Sequence, residues 1–543
     1  MNSPENHAEE EDIQICLLVE GQKFYCSRAL LAKHSEYFRA MFCSGMIESK
    51  SDTITLHGVQ STAVGSLLDF MSGRKQLDLL GNDMTSIITA ACMYQINSAI
   101  CACCQDLIKR IDNQTCLDIM LLAETFSLNT VYNMARRHAL WFFPSIWSIA
   151  EDFVDLEKEP LQSYLSDPML NTSSELEVFQ ALEKWINQDR PGRLPVFSQL
   201  LFDCIYVKDI EDEEIEVIMS SPLVELNPEV ISWIQQHKQQ QRPETWIPLR
   251  HVPYKLVLVG GWRKVENRRV PCLDMFSFDI NSGNLQSVID LPSLFNEQQI
   301  SPDIGYSVCV VGKDLYLAGG EAVLGKSKWM MDVWKYDGFE ESWKIVTSLK
   351  GPRRHHGMCS DDDSFYLLGG FGRYRVMLDS IEQYHCTKDE WVTLRPMLQP
   401  EFNPGVAVHR NKLYCIKSVI QSYDLQTGSW TLIKHNLDCG ITGSVYIYHN
   451  FIYIKSSVTD SFVRLNCTNN TFEKLDGFES SDVTFSVERG KIYVYDGDNH
   501  TLFSCSMNGK FLKPIMKEMP ERLQVSESQM VLLPSYPKWK EEI

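Results

Sequence analysis

The chain has 543 residues, which at roughly 150 residues per domain calls for several hydrophobic cores. Hydrophobic residues make up 44% and aromatic ones 11%, which excludes a largely disordered chain; a net charge of −20 argues against nucleic acid or an anionic membrane as a partner. Residues 1–245 hold 18 basic and 36 acidic side chains and 246–543 hold 33 and 35, so any contact made through positive charge belongs to the second half.

The opening MNSPENHAEEED (1–12) reads as a disordered acidic tail and has neither the basic start nor the apolar core of a signal peptide. Residues 13–110 read as a mixed α/β domain. Ile13, Ile15, Leu17 and Val19 alternate as in a strand, VEGQK makes a turn, and a second strand surrounds Phe24. Ser27 then caps a helix whose apolar face is Leu30, Leu31, Tyr37, Phe38, Met41 and Phe42, and TITL (53–56) is a further strand. The uncharged run Met84 to Gln105 is interrupted by Thr, Ser, Gln and Asn, so it predicts buried helix and no membrane span. Seventeen cysteines without a secretory signal point to reduced thiols and to the cytoplasm, a nuclear pool being compatible.

Residues 111–235 are predicted all-helical, because LDIMLLAETFSL, ELEVFQALEKWI and EVISWIQQ carry apolar stripes at the 3.6-residue period. A polar linker covers 236–250. From 251 to 535 the period becomes two and a repeat appears. Its marker is a pair seven residues apart: Phe278/Leu285, Tyr336/Trp343, Tyr384/Trp391, Tyr423/Trp430, Leu465/Phe472 and a degenerate Ser504/Phe511. Each pair follows an apolar strand such as DLYLAGG (314–320) or SFYLLGG (364–370). Six such units predict a radial propeller, with QMVLLP (529–534) supplying the strand that the first unit lacks, and 536–543 as a tail. Diglycines in the first three units predict close backbone approach, and the loops after them are the longest.

These segments carry a resemblance. LLVEGQKFYCSRALLAKHSEYFRAMF and GMIES resemble a BTB (POZ) domain, the helical run from Cys116 through ELEVFQALEKWI resembles a BACK domain, and Gly-Gly with the aromatic pair resembles a kelch repeat. In this order the chain resembles the BTB–BACK–kelch family, the kelch-like substrate adaptors of cullin-three ubiquitin ligases. The resemblance implies a multidomain chain with an α/β BTB domain, an all-α BACK domain and an all-β six-bladed kelch propeller. It implies a non-catalytic adaptor without cofactor or metal, whose partners are a cullin-three scaffold and a protein substrate, with no role for nucleic acid or membrane. The family's hydrophobic–x–Glu cullin-binding loop matches Met46-Ile47-Glu48. Two departures, Gln14 for the usual Asp and Ser27 for the usual His, together with only a dozen mostly polar residues ahead of the first strand, predict a homodimer weaker than the family norm. Substrate would bind the rim formed by loops entering each blade and loops following the diglycine. Its residues are Arg263, Lys264, Arg268 and Arg269 in blade one, Lys326, Lys328 and Trp329 in blade two, and Arg353, Arg354, Arg373, Tyr374 and Arg375 in blade three. Arginine forks and aromatic faces suit an acidic peptide there. A kelch scaffold that engages no cullin, for example a cytoskeletal one, is the alternative. A kelch-type copper oxidase would need converging Tyr, His and Cys ligands, which nothing in the sequence fixes.

Several motifs invite other chemistry. Gly320 to Ser327 matches G-x-x-x-x-G-K-[ST], yet WMMDVWKY after it reads as a strand, and a phosphate loop needs a helix there. Cys101 and Cys104 share a helix face beside Cys103, but one C-x-x-C without a second pair is a weak metal signal, and buried, inert thiols are expected. Glu211 to Glu214 reads as a solvated helix start, and His355 and His356, if on a strand, point to opposite faces.

Overall fold

A computed structural model of the chain describes residues 14–44, 50–77, 84–225, 227–238, 249–265, 268–280, 284–292, 304–323, 325–417, 419–433, 441–456, 462–475, 483–488, 491–499, 501–507, 511–516, 524–537 and 539. The chain divides into two compact units, Pro253–Ser535, and the residues up to Val252 together with those from Tyr536 onward.

The first unit opens on a three-stranded sheet with Gln14–Val19 in the middle, antiparallel to Gln22–Ser27 and parallel to Thr53–Leu56. Glu20 and Gly21, both at positive φ, make the tight turn, and the Glu20 carboxylate accepts the Ser61 N–H at the start of the helix Ser61–Met71. Because the first strand is central, Cys16 is buried along with Ile15, Leu17 and Val19, so the alternation is not clean. Ser27 caps the helix Arg28–His34 by accepting from Leu30 N–H at 3.2 Å, as its position in the sequence predicts. The apolar face read as one helix is split at Ser35, whose Oγ accepts from Phe38 N–H and donates to the Tyr94 carbonyl. The uncharged run likewise divides, into Met84–Met93 and Asn97–Lys109. Among the described residues no helix is long and apolar enough to cross a membrane.

Helices from Cys116–Thr125 to Pro228–Lys238 follow, with the core held by polar ties as well as apolar burial. The Trp185 indole donates to the Leu156 carbonyl and the Tyr164 hydroxyl to that of Ala139. The acidic run is a helix start: Glu211 caps Asp212–Met219 and Glu214 closes a capping box. Two distant segments converge on the turn Asp167–Met169. Arg250 enters the core, pairing with Glu175 and donating to the Asp167 carbonyl, and His251 N–H bonds Pro168. The Tyr536 hydroxyl bonds the Met169 carbonyl, Trp539 N–H bonds Asn133, and Arg136, paired with Asp167, lies 5.2 Å from the Trp539 ring.

The second unit is a closed propeller. Six sheets of four or five strands follow one another, five of them in plain chain order. The sixth is completed by Gln524–Pro534, which pairs antiparallel with Tyr254–Val265, Met530 opposite Leu258, so the predicted closing strand is in place and runs longer than its apolar core. First strands of successive sheets neighbour one another in a ring around a channel of about 330 Å³.

Second strands are buried on both faces, as in Asp314–Ala318, because each blade is covered by two neighbours. Leu315 and Leu317 enter one inter-blade core, Tyr316 and Ala318 the next. The seven-residue spacing is hairpin register: Tyr336 lies opposite Trp343, Tyr384 opposite Trp391 and Tyr423 opposite Trp430, with ring centroids 5.0–5.3 Å apart. In the last unit the register shifts, so Phe511 lies opposite Cys505 and Ser504 opposite Lys513.

Blade two also carries an acid-sensitive knot. Burial alone would raise the Asp337 carboxyl. The Lys313 ammonium, 2.5 Å away, and the N–H groups of Glu340 and Phe339 outweigh that and hold it at about 2. A depressed folded-state value means stability that is full above the unfolded carboxyl's pKa of about 4 and is lost as pH falls through about 2, worth about 2 kcal/mol. Asp337→Asn should therefore lower the propeller's melting temperature at neutral pH and match wild type near pH 2, as read by calorimetry across a pH series.

Candidate functional site on the blade-three rim

The diglycines show why one end of the propeller is built as it is. Gly319, Gly320, Gly369 and Gly370 all have positive φ, and a Cβ on Gly319 would meet the Arg353 carbonyl at 2.7 Å. Gly320 N–H donates to that Arg353 carbonyl and Gly370 N–H to Glu401, both at 2.8 Å. Each diglycine is thus tied to the loop entering the next blade. The loop after the diglycine and the loop between blades lie at the same end, and Phe371 of the first stacks on Phe402 of the second, centroids 5.0 Å apart.

Arg353 and Arg354 are not surface charges. They are 2% and 5% exposed, so their assignment as charge partners for a substrate is corrected. Arg353 pairs with Glu382 at 3.1 Å and donates to Ser380 Oγ. Burial lowers its pKa and Glu382 opposes the shift. Arg354 pairs with Glu321 at 3.4 Å, and Glu321 also accepts the Ser327 N–H, tying the loops of blades two and three together. Arg354 exchanges both backbone hydrogen bonds with Phe371 and sets its guanidinium 5.5 Å from that ring. Glu321 and Glu382, which sequence reasoning missed, are the partners that make these arginines internal.

What the buried pairs support is an exposed turn. Phe371 bridges Met377 as well as Arg354. Gly372 N–H bonds the Val376 carbonyl and Val376 N–H bonds Arg373, closing the single turn Arg373–Arg375. Tyr374 and Arg375 sit at φ +56° and +58°, a left-handed conformation that side chains other than glycine adopt at a cost. Arg373 and Arg375 are exposed, Tyr374 is 96% exposed, and Val376 and Met377 also face solvent.

The other candidates are placed differently. Met46, Ile47 and Glu48 lie outside the described residues. In blade one Arg263 lies opposite Val270, Lys264 opposite Arg269 and Val265 opposite Arg268, so the post-diglycine segment is an extended hairpin. Trp329 is half-buried, bridges Glu321 and keeps its indole N–H buried with no hydrogen-bond partner among the described residues, while Lys326 and Lys328 are exposed. The phosphate-loop look-alike is a hairpin loop, Ala322 N–H bonding the Lys328 carbonyl, and the strand Asp332–Asp337 follows it where a nucleotide site would need a helix.

His355 and His356 precede the strand Gly357–Ser360 instead of lying on it. His356 is buried, and burial, then the Arg353 and His355 charges, hold its imidazole well below the usual range and hence neutral. Burial and the neighbouring thiols push Cys103 up to about 12, and burial raises Cys104, so neither is a thiolate at neutral pH; Cys101, expected to be buried with them, is exposed. Among the described residues no group of three or more His, Cys, Asp and Glu could hold a metal ion.

An α/β sheet domain, an all-helical region and a six-bladed propeller thus follow one another along the chain. Residues 5–111 match the BTB/POZ domain family, 116–220 the family described as BTB And C-terminal Kelch, and 352–398 the Kelch motif. Similar curated proteins include Kelch-like protein 24 of Rattus norvegicus, 27% identical over 90% of this chain and 81% of that protein. Kelch-like protein 38 of Rattus norvegicus is 25% identical over 87% and 83%, and Kelch-like protein 6 of Homo sapiens 25% over 74% and 64%. The chain belongs to the BTB–BACK–kelch family. The kelch match coincides with blade three, which, like blade two, carries a diglycine, an aromatic pair and a long rim loop.

Proposed function

We propose that the chain is a substrate-recognition adaptor of a cullin-three RING ubiquitin ligase, its BTB domain docking on the cullin and its propeller capturing the protein to be modified. It is a non-catalytic subunit in this reading, and the ligase chemistry resides in partner chains. The single observation that carries the reading is the order of parts: a BTB-type sheet, a helical region and a closed kelch propeller in one chain. Met46-Ile47-Glu48 would supply the cullin contact, an apolar anchor beside a carboxylate. Expression of the tagged full chain in cells tests this. The adaptor reading expects cullin-three to co-purify in near-stoichiometric amount, whereas a chain that purifies without it is a kelch scaffold of another kind.

A further inference from the structure

We propose that the blade-three turn Arg373–Val376 is a preorganised docking tip for an acidic peptide segment that carries an apolar or aromatic side chain between its carboxylates. The proposal rests on the adaptor reading and names the chemistry of what the propeller captures.

Three independent features converge on this turn. Its backbone is costly, with two successive residues other than glycine in the left-handed region, and such strain persists only where the surroundings enforce it. Here they do: Arg354, paired inside with Glu321, holds Phe371 through two backbone bonds, and Arg353, paired with Glu382, holds Ser380 at the loop's other end. Four buried charges are thereby devoted to fixing one surface loop. The tip they fix is also chemically one-sided. Neither Arg373 nor Arg375 has a carboxylate partner among the described residues, so both guanidinium forks are open to a ligand in a chain whose net charge is −20. Between them Tyr374 exposes nearly its whole ring, and Val376, Met377 and the Phe371–Phe402 stack extend the apolar surface. A carboxylate-bearing partner with an apolar side chain satisfies both characters; a basic or purely polar one satisfies neither. Rigidity lowers the ordering cost of binding, which suits a short flexible ligand.

The test pans a phage-displayed random peptide library on the immobilised full chain and measures enriched peptides, fluorescein-labelled, by anisotropy. The proposal expects Asp and Glu flanking an apolar or aromatic position. It also expects a loss of about tenfold or more in affinity with the double variant Arg373→Glu/Arg375→Glu, a smaller loss with Tyr374→Ala, and no change with Lys491→Glu on blade six. The salt dependence of binding should flatten in the double variant, because screening acts on the charges removed. All these side chains are exposed, so unchanged melting temperatures are expected and will separate loss of binding from loss of fold. No enriched motif, a motif without acidic residues, or acidic peptides that bind the double variant as tightly as wild type would each overturn the proposal. Cullin-three binding measured on the same preparations keeps the two claims apart: peptide capture without cullin binding sinks the adaptor reading alone, and cullin binding without peptide capture sinks only this one.

Discussion

Leu533→Asp is expected to unfold the propeller while leaving the helical unit folded. Leu533 is fully buried on the closing strand Gln524–Pro534, in the core shared with Val257, Leu315 and Leu317. The substitution removes the packing of a large side chain, a loss of about 2–5 kcal/mol, and places a carboxylate in an apolar core, where Lys255, opposite it in register, is already paired with Glu341. The sum is comparable to the whole stability of an ordinary domain, about 5–15 kcal/mol. A propeller is more exposed to this failure than an open sheet, because that late strand completes the first blade and so helps close the ring. Calorimetry of the full chain should lose the propeller transition and keep the other. Limited proteolysis should cut between 253 and 535 and spare the helices. An unchanged propeller transition would mean that closure does not depend on this strand.

Arg250→Ala should cost the helical unit about 3–5 kcal/mol, the usual penalty for leaving one member of a buried ion pair alone. The Arg250 guanidinium meets Glu175 at 2.5 Å, the Asp167 and Cys204 carbonyls, and the Tyr206 ring at 4.6 Å, with almost no solvent contact. Burial raises the Glu175 carboxyl, and Arg250 with the Tyr206 N–H pulls it back. Without Arg250 it rises further above its unfolded value. The penalty is therefore small where the carboxyl is protonated in both states and grows as pH rises through the folded-state pKa. The variant should lose more melting temperature at pH 7 than at about pH 5. Glu175→Gln in the same chain should restore part of the loss, the coupling that a double-mutant cycle reads. Equal losses at both pH values would show that Arg250 acts through packing alone.

Much of this architecture is legible in the residues because local rules and tertiary structure agree. A seven-residue spacing between aromatics is what a tight hairpin between neighbouring strands produces, and the registers of Tyr384 with Trp391 and Tyr423 with Trp430 are that hairpin. The apolar segment around Met530 has no repeat of its own because its partner, the strand around Leu258, lies about 270 residues earlier, and a ring supplies the missing edge. Ser35 was the readable signal passed over: a serine ahead of Glu36 marks a new helix start inside an apolar stripe. The burial of Arg353 and Arg354 was not legible. Two arginines in a loop look like solvated charge, and only the fold brings Glu321 and Glu382, from other strands and loops, within ion-pair distance. The sequence pattern locates the rim; it does not tell which of its cations face solvent and which hold the loops. The side chains that do face solvent, Arg373, Tyr374 and Arg375, owe that position to the arginines beneath them.

The adaptor reading is tested most directly by isothermal titration of the cullin-three N-terminal domain into the full chain, comparing wild type with Glu48→Lys and Met46→Asp. Truncating a hot-spot side chain costs on the order of 2 kcal/mol or more, and reversing a charge adds repulsion. The account predicts tight binding by wild type, with loss of measurable heat in both variants at unchanged melting temperature. Absence of binding by wild type, or wild-type affinity in both variants, would contradict it.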